Sequence, residues 1–207
     1  VSGVSAESRF DDEQRIRTAY YREVEELLKR ETVAMRVHIF DHTIRTKATE
    51  IGQKSPNRGP VERVHVDQSF EAARMRVQHE LPHDANRLLQ GRVRIINVWR
   101  PIHHAVAHKP LALADWRSLN VDRDLVPVRY IYPDRDSSAF SVRYNATHRW
   151  HYLSSQTPDE VTLIKCYDSA LDRARLAPHS AFVDTTSPPS APPRHSIEVR
   201  CLVFDTM

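Results

Sequence analysis

The stretch Arg63-Val-His-Val-Asp-Gln-Ser69 decides how the rest of the chain is read. His65 and Asp67 are two positions apart, so in an extended backbone both side chains leave the same face and can grip one metal ion. The pair alone is not special. With 12 histidines and 27 acidic residues among 207, roughly 1.6 His-x-acid matches arise by chance. Order and context set this one apart. His179 lies far downstream in Ala177-Pro-His-Ser-Ala-Phe182, and Pro192-Pro-Arg-His-Ser196 follows it with Arg194 and Ser196 as an Arg-x-Ser pair, with strand-like sequence between the early and late pieces.

Two imidazoles and one carboxylate with open positions form the facial triad of non-haem Fe(II) oxygenases. A guanidinium and a hydroxyl downstream suit the distal carboxylate of a 2-oxoacid cosubstrate, held in a forked salt bridge. Two alternatives use the same residues. Two His and one Asp also suit zinc with a water in the fourth position, as in a hydrolase, and a cupin-like barrel can bind a small molecule without chemistry. The Arg-x-Ser pair separates them, because a hydrolase has no need of a buried 2-oxoacid clamp. His42 is a rival ligand, expected in a loop. His103, His104 and His108 lie between Pro101 and Pro110, where they suit adventitious metal rather than the functional site.

At 207 residues and 24.0 kDa the chain fits one domain with a substantial core. The net charge of +3 comes from 30 basic and 27 acidic residues with the signs interspersed, which gives no nucleic-acid signature. Cys166 and Cys201 each sit in an apolar run and read as reduced, buried thiols. No apolar run is long enough to span a bilayer and no signal-peptide pattern opens the chain, so a cytoplasmic protein with no membrane partner is expected. The sequence leaves the oligomeric state open, a homodimer included.

Taken in order, acids at Asp11-Asp12-Glu13 open a helix to about Arg30 whose apolar positions are Ile16, Tyr20, Val24, Leu27 and Leu28. Val37-His-Ile-Phe40 reads as a strand ended by Asp41-His42-Thr43. The stretch from Arg45 to Pro60 carries Gly52, Pro56, Asn57 and Gly59 and reads as a mobile loop beside the site. Ser69 caps a helix to about Glu80, and a short helix after Pro82 runs to Gln90. In Arg92-Val-Arg-Ile-Ile-Asn-Val-Trp-Arg100 the alternation sets Val93, Ile95, Asn97 and Trp99 on one face of a strand, with Asn97 and Trp99 as candidate cavity residues. Further strand-like pieces recur at 111–116, 125–132, 139–144, 149–153, 161–166 and 196–204, which argues for an antiparallel sandwich or barrel. The proline-rich stretch 184–193 is expected as a loop at the rim.

Several phrases then carry a resemblance running from about Phe10 to Phe204: Phe40-Asp-His-Thr-Ile-Arg45, Val64-His-Val-Asp-Gln-Ser69, Asn97-Val-Trp-Arg-Pro-Ile102, Thr157-Pro-Asp-Glu160, Ile164-Lys-Cys-Tyr-Asp-Ser169, Pro178-His179 and Pro192-Pro-Arg-His-Ser-Ile-Glu-Val-Arg200. In these the chain resembles the fungal hydroxylase/desaturase family, which includes the aspergillic-acid pathway hydroxylase, gibberellin desaturase-like proteins and relatives of a cephamycin methoxylation component. The resemblance implies a mainly β protein with flanking helices, folded as a double-stranded β-helix (a jelly-roll, cupin-like barrel). It also implies Fe(II) on His65, Asp67 and His179, and 2-oxoglutarate on Arg194 with Ser196. Members begin with a further segment of strands that is not seen here, so one oxygenase-like domain over 1–207, lacking that segment, is expected. Glu31-Thr-Val-Ala34 stands where a glycine-containing turn belongs.

The implied chemistry joins O2, 2-oxoglutarate and a small metabolite, giving succinate, CO2 and a hydroxylated, desaturated or ring-closed product according to substrate placement. Arg100, Lys165 and Arg200 join Asn97 and Trp99 as candidates for gripping the substrate. Arg194 and Arg200 are expected on one strand, ~20 Å apart at the strand rise, so that only Arg194 reaches a cosubstrate on the metal.

Overall fold

The computed structural model describes residues 1–45, 59–131 and 136–207. Most of the loop expected at 45–60, and the turn at Pro133-Asp134, therefore lie outside the described residues.

The last strand, β10 (Ser196–Phe204), shows how the sequence builds the architecture. Alternation along it sends Leu202 and Phe204 into one hydrophobic cluster and Ile197, Val199, Cys201 and Val203 into another. A strand buried on both faces needs a layer on each side. β10 lies between β1 (Arg36–Arg45) and β3 (Val93–Pro101), and β8 (Thr162–Asp168) follows β3, to make a four-stranded sheet paired antiparallel throughout.

One face of this sheet is covered by the N-terminal helical stretch. Asp12 accepts hydrogen bonds from the amides of Gln14 and Arg15 and so caps α1 (Glu13–Arg15), which passes through a π-helical turn at Ile16–Tyr20 into α2 (Tyr21–Thr32). The five apolar positions expected on its inner face, Ile16, Tyr20, Val24, Leu27 and Leu28, are all buried there.

The other face meets a six-stranded sheet in the order β5 (Leu125–Ile131), β6 (Asp136–Val142), β2 (His65–Val66), β9 (His179–Ala181), β4 (Leu111–Ala114), β7 (Trp150–Tyr152). Between the sheets lies a core that includes Val66, Trp99, Phe140 and Ile164. Ser69 caps α3 (Phe70–Glu80) as expected, its hydroxyl accepting from the amide of Ala72. Two antiparallel sheets closed on one core, with helices outside, are the jelly-roll arrangement.

The structure corrects two local expectations. The strand expected to end at Asp41 continues to Arg45, because the whole of β1 pairs with β10. The register shifts between Ile39 and Asp41, and such a bulge reverses the alternation that marked the strand. His42 is thus a strand residue and not a loop residue. The segment holding His179 is itself a strand, β9, too short to show a pattern. Cys166 and Cys201 are free and buried.

Candidate metal centre

The two central strands of the larger sheet bring the distant histidines together. β2 pairs with β9 so that His65 stands opposite His179, with ring centroids 4.4 Å apart. Asp67 follows directly on β2, and one ligand atom each from His65, Asp67 and His179 lies within 4.8 Å of the others. His65 Nε2 is 3.4 Å from Asp67 Oδ1. Ligand bonds of about 2.0–2.2 Å place neighbouring ligand atoms about 3 Å apart, so one ion fits with small rotations.

The surroundings orient the ligands. His65 Nδ1 lies 2.8 Å from the Arg63 carbonyl and His179 Nδ1 3.1 Å from that of Ala177. A carbonyl only accepts, so each Nδ1 carries the proton and each Nε2 turns a lone pair toward the centre. On Asp67, Oδ2 accepts from Asn97 Nδ2 at 2.5 Å, and Arg200 Nε is 3.6 Å away. Oδ1 is left toward the histidines.

Charge follows the same plan. Burial alone would raise the Asp67 carboxyl, but the contact with His65 and the charge of Arg200 hold it well below the usual carboxylate range, and the same contact holds His65 above the ordinary imidazole value. Burial holds His179 below the ordinary imidazole value. An ionised carboxylate and a neutral imidazole are the metal-binding forms.

A cleft is bordered by His65 and His179 together with Trp99, Glu198, Arg45 and Arg194. Arg194 is only 4% exposed; it donates to the Lys109 carbonyl at 2.5 Å and stacks over the Trp99 ring at 5.4 Å. It makes no ion pair among the described residues, and burial, with Arg45 nearby, pulls it down to about 10. A buried cation without an anion is costly. Arg194 Nε and Ser196 Oγ are buried without a hydrogen-bond partner, and both suit a carboxylate. The cleft itself is tight, about 20 Å³.

On the other side of Asp67 is an open cavity of about 420 Å³, bordered also by Gln68, Arg76, Tyr130 and Arg200. It falls in the range of small-molecule sites.

The structure sorts the remaining candidates. Asn97 and Trp99 face the centre. Arg100, next to Trp99 in the strand, necessarily faces the other way: it lies 5.6 Å over the Tyr20 ring and donates to the Pro158 carbonyl, away from the cavity. Lys165 is bound to Asp168 and the Ala174 carbonyl. Arg200 was expected far from the metal end and instead adjoins Asp67, because β10 begins at Ser196 and carries Arg200 opposite Asn97. His42 turns to the helical layer, against Tyr21 and Glu13. His103 bonds His195 outside the triad. Sequence reasoning missed Arg45, Gln68 and Glu198, although all three lie within phrases that carried the resemblance.

This combination, two antiparallel sheets closing on two imidazoles and a carboxylate, defines a double-stranded β-helix metalloprotein of the non-haem iron type. The model of a family described as an oxidoreductase/YMDC permease-like domain matches residues 2–204. No helix among the described residues is long and apolar enough to cross a membrane. The hydroxylase/desaturase efuI of Hormonema carpetanum is 38% identical over 216 residues, covering 93% of this chain and 72% of that protein. The Fe(II)/2-oxoglutarate-dependent dioxygenase nvfI of Aspergillus novofumigatus is 39% identical over 199 residues, covering 95% and 70%. The solved structure of the iron and alpha-ketoglutarate-dependent endoperoxidase NvfI superposes with a TM-score of 0.90 at 36% identity, over 99% of this chain and 77% of that one. The chain belongs to the fungal hydroxylase/desaturase family of Fe(II)/2-oxoglutarate-dependent oxygenases.

Proposed function

We propose that this protein oxidises a small or mid-sized metabolite at an unactivated carbon, with His65, Asp67 and His179 holding Fe(II) and Arg194 and Ser196 holding the distal carboxylate of 2-oxoglutarate. The observation that carries the reading is the cleft, bordered both by oriented, metal-ready imidazoles and by a buried cation that makes no ion pair among the described residues. When bound, the iron and 2-oxoglutarate supply an oxidant able to take hydrogen from a C–H bond, while 2-oxoglutarate and O2 end as succinate and CO2 with oxygen to spare for the substrate. The chain's own part is positional. Asn97 and Arg200 hold Asp67, the Arg63 and Ala177 carbonyls hold the rings, and Trp99 with Arg194 walls the cosubstrate from water. The open cavity beside Asp67 takes the metabolite, and the placement of its C–H decides between hydroxylation, desaturation and ring closure.

The test is metal analysis of anaerobically purified protein followed by a succinate assay. One iron per chain and 2-oxoglutarate-dependent succinate release are expected. Arg194→Ala should raise the 2-oxoglutarate requirement at least roughly tenfold with iron retained, since it removes a charge-assisted fork in a dry cleft. Stoichiometric zinc with no succinate would remove the reading in favour of a hydrolase.

A further inference from the structure

Three further imidazoles meet where the four-stranded sheet ends. The ladder between β3 and β10 stops at Pro101 and Ser196, and one more backbone bond, from the Ile102 amide to the His195 carbonyl at 3.0 Å, holds the two segments together just beyond it. The His104 amide then donates to the Ile102 carbonyl at 2.9 Å. This closes a γ-turn with His103 at its centre at φ 72°, a conformation that is rare and strained for a residue with a side chain. Both histidines of the turn pack against His195: the His103 and His104 rings each lie 5.4 Å from its ring, centroid to centroid, and His103 Nδ1 is 3.1 Å from His195 Nδ1. We propose that His103, His104 and His195 form a second metal site, separate from the iron centre, that takes a zinc-like divalent ion with water in its fourth position.

The spacing is that of imidazoles sharing one ion. At a Zn–N bond of about 2.0–2.1 Å and a tetrahedral angle, neighbouring ligand nitrogens stand about 3.3 Å apart and their ring centres about 5 Å apart. Hydrogen bonds leave the right nitrogens bare. His103 Nε2 lies 2.9 Å from the Arg9 carbonyl and His104 Nδ1 3.0 Å from that of Ala105. A carbonyl only accepts, so these nitrogens carry the protons, while His103 Nδ1 and His104 Nε2 keep their lone pairs. Burial and the two neighbouring rings hold His195 below the ordinary imidazole value, in the neutral form that binds metal. His103 and His195 span an ion as they stand, and a turn of the His104 side chain brings Nε2 to it. A lone N–H···N bond between His103 and His195 is the other way to fill the gap and needs no metal. The ion is reached from solvent, since His103 is exposed and the other two are half-buried. It ties together the segment holding Arg9, the turn after β3 and the residue before β10. None of the three histidines borders the catalytic cleft or the open cavity, so the ion acts on stability rather than on the chemistry.

The test loads the protein with Fe(II) under anaerobic conditions, titrates it with Zn(II) and counts total metal, iron plus zinc, so that displacement at the iron centre cannot imitate a second site. Two ions per chain are expected in the parent. Competition with a chelator should show the second ion held at least about tenfold more weakly in each of His103→Gln, His104→Gln and His195→Gln. Zinc at about a hundred times its dissociation constant should raise the melting temperature of the parent by roughly 5–10 °C, and the same zinc concentration should raise that of His103→Gln by less. Without zinc, His103→Gln should melt and release succinate like the parent, which keeps a folding defect from passing for lost metal. One ion per chain in the parent overturns the site and leaves His103 and His195 as a hydrogen-bonded pair. A second ion held equally well by the parent and all three variants is adventitious binding elsewhere on the surface and overturns it too. Parent-like zinc affinity in His104→Gln alone overturns the three-imidazole site.

Discussion

Asp67 has more partners than any other residue of the centre, and they divide its two oxygens. Oδ1 faces His65 while Asn97 and Arg200, opposite each other on neighbouring strands, take Oδ2. Outer partners of this kind fix ligand geometry and are worth about 10–100-fold in metal affinity. Asn97→Ala should therefore weaken Fe(II) binding within that range without unfolding the protein. Normal iron affinity, read by competition with a chelator, would show that Asp67 needs no such support. Removing a ligand is more severe. Each of His65, Asp67 and His179 offers one bond to the ion, so any single Ala variant should lose stoichiometric iron, and full occupancy in one of them would strike that residue from the centre. His65 and Asp67 were legible as a pair because period-two spacing puts them on one face. The support of Asn97 and Arg200 was not, since it depends on the register between β3 and β10, which no local pattern encodes.

Elements were legible where a face is plainly apolar. The N-terminal helix declared its buried stripe and β10 its whole span, whereas the bulge in β1 hid half of that strand. The end of α2 is instructive. Val33, at the place where a glycine-containing turn was expected, has φ 54° and ψ 30°, the left-handed conformation that glycine adopts freely and a β-branched residue resists. The residue is 85% exposed, so little packing repays the strain. Val33→Gly should raise stability by about 1 kcal/mol, or roughly 2–4 °C in the melting temperature for a chain of this size. A lower melting temperature would mean that the turn tolerates valine and that chain entropy dominates.

Across the molecule, the four-stranded sheet is the layer that both hydrophobic clusters share, and its outer edge is tied down by one carboxylate. Asp168, at the end of β8, has a fully buried side chain that accepts from Arg92 at 3.0 and 2.6 Å, from Lys165 at 3.0 Å and from the amide of Ala170 at 3.1 Å. It thereby joins β8 to the residue before β3 and to the turn that follows. Burial would raise its pKa, but Arg92 and Lys165 outweigh burial and hold it below the usual value. A depressed folded-state pKa contributes stability that is present above the unfolded carboxylate pKa and is lost as pH falls through the folded one. Asp168→Asn keeps the shape and removes the charge, leaving Lys165 without its anion and Arg92 with Asp205 alone, 3.6 Å away. Breaking a buried pair costs about 3–5 kcal/mol. Arg92 and Lys165 are 26% and 29% exposed, so water recovers part of that, and a loss of about 2–3 kcal/mol is expected, or roughly 5–10 °C. The acid limb should change as well: melting temperature against pH should fall less steeply below about pH 4 in the variant than in the parent, because one group that takes up a proton on unfolding is gone. Parallel acid limbs with equal melting temperatures at pH 7 would mean that the network around Asp168 adds nothing to the sheet.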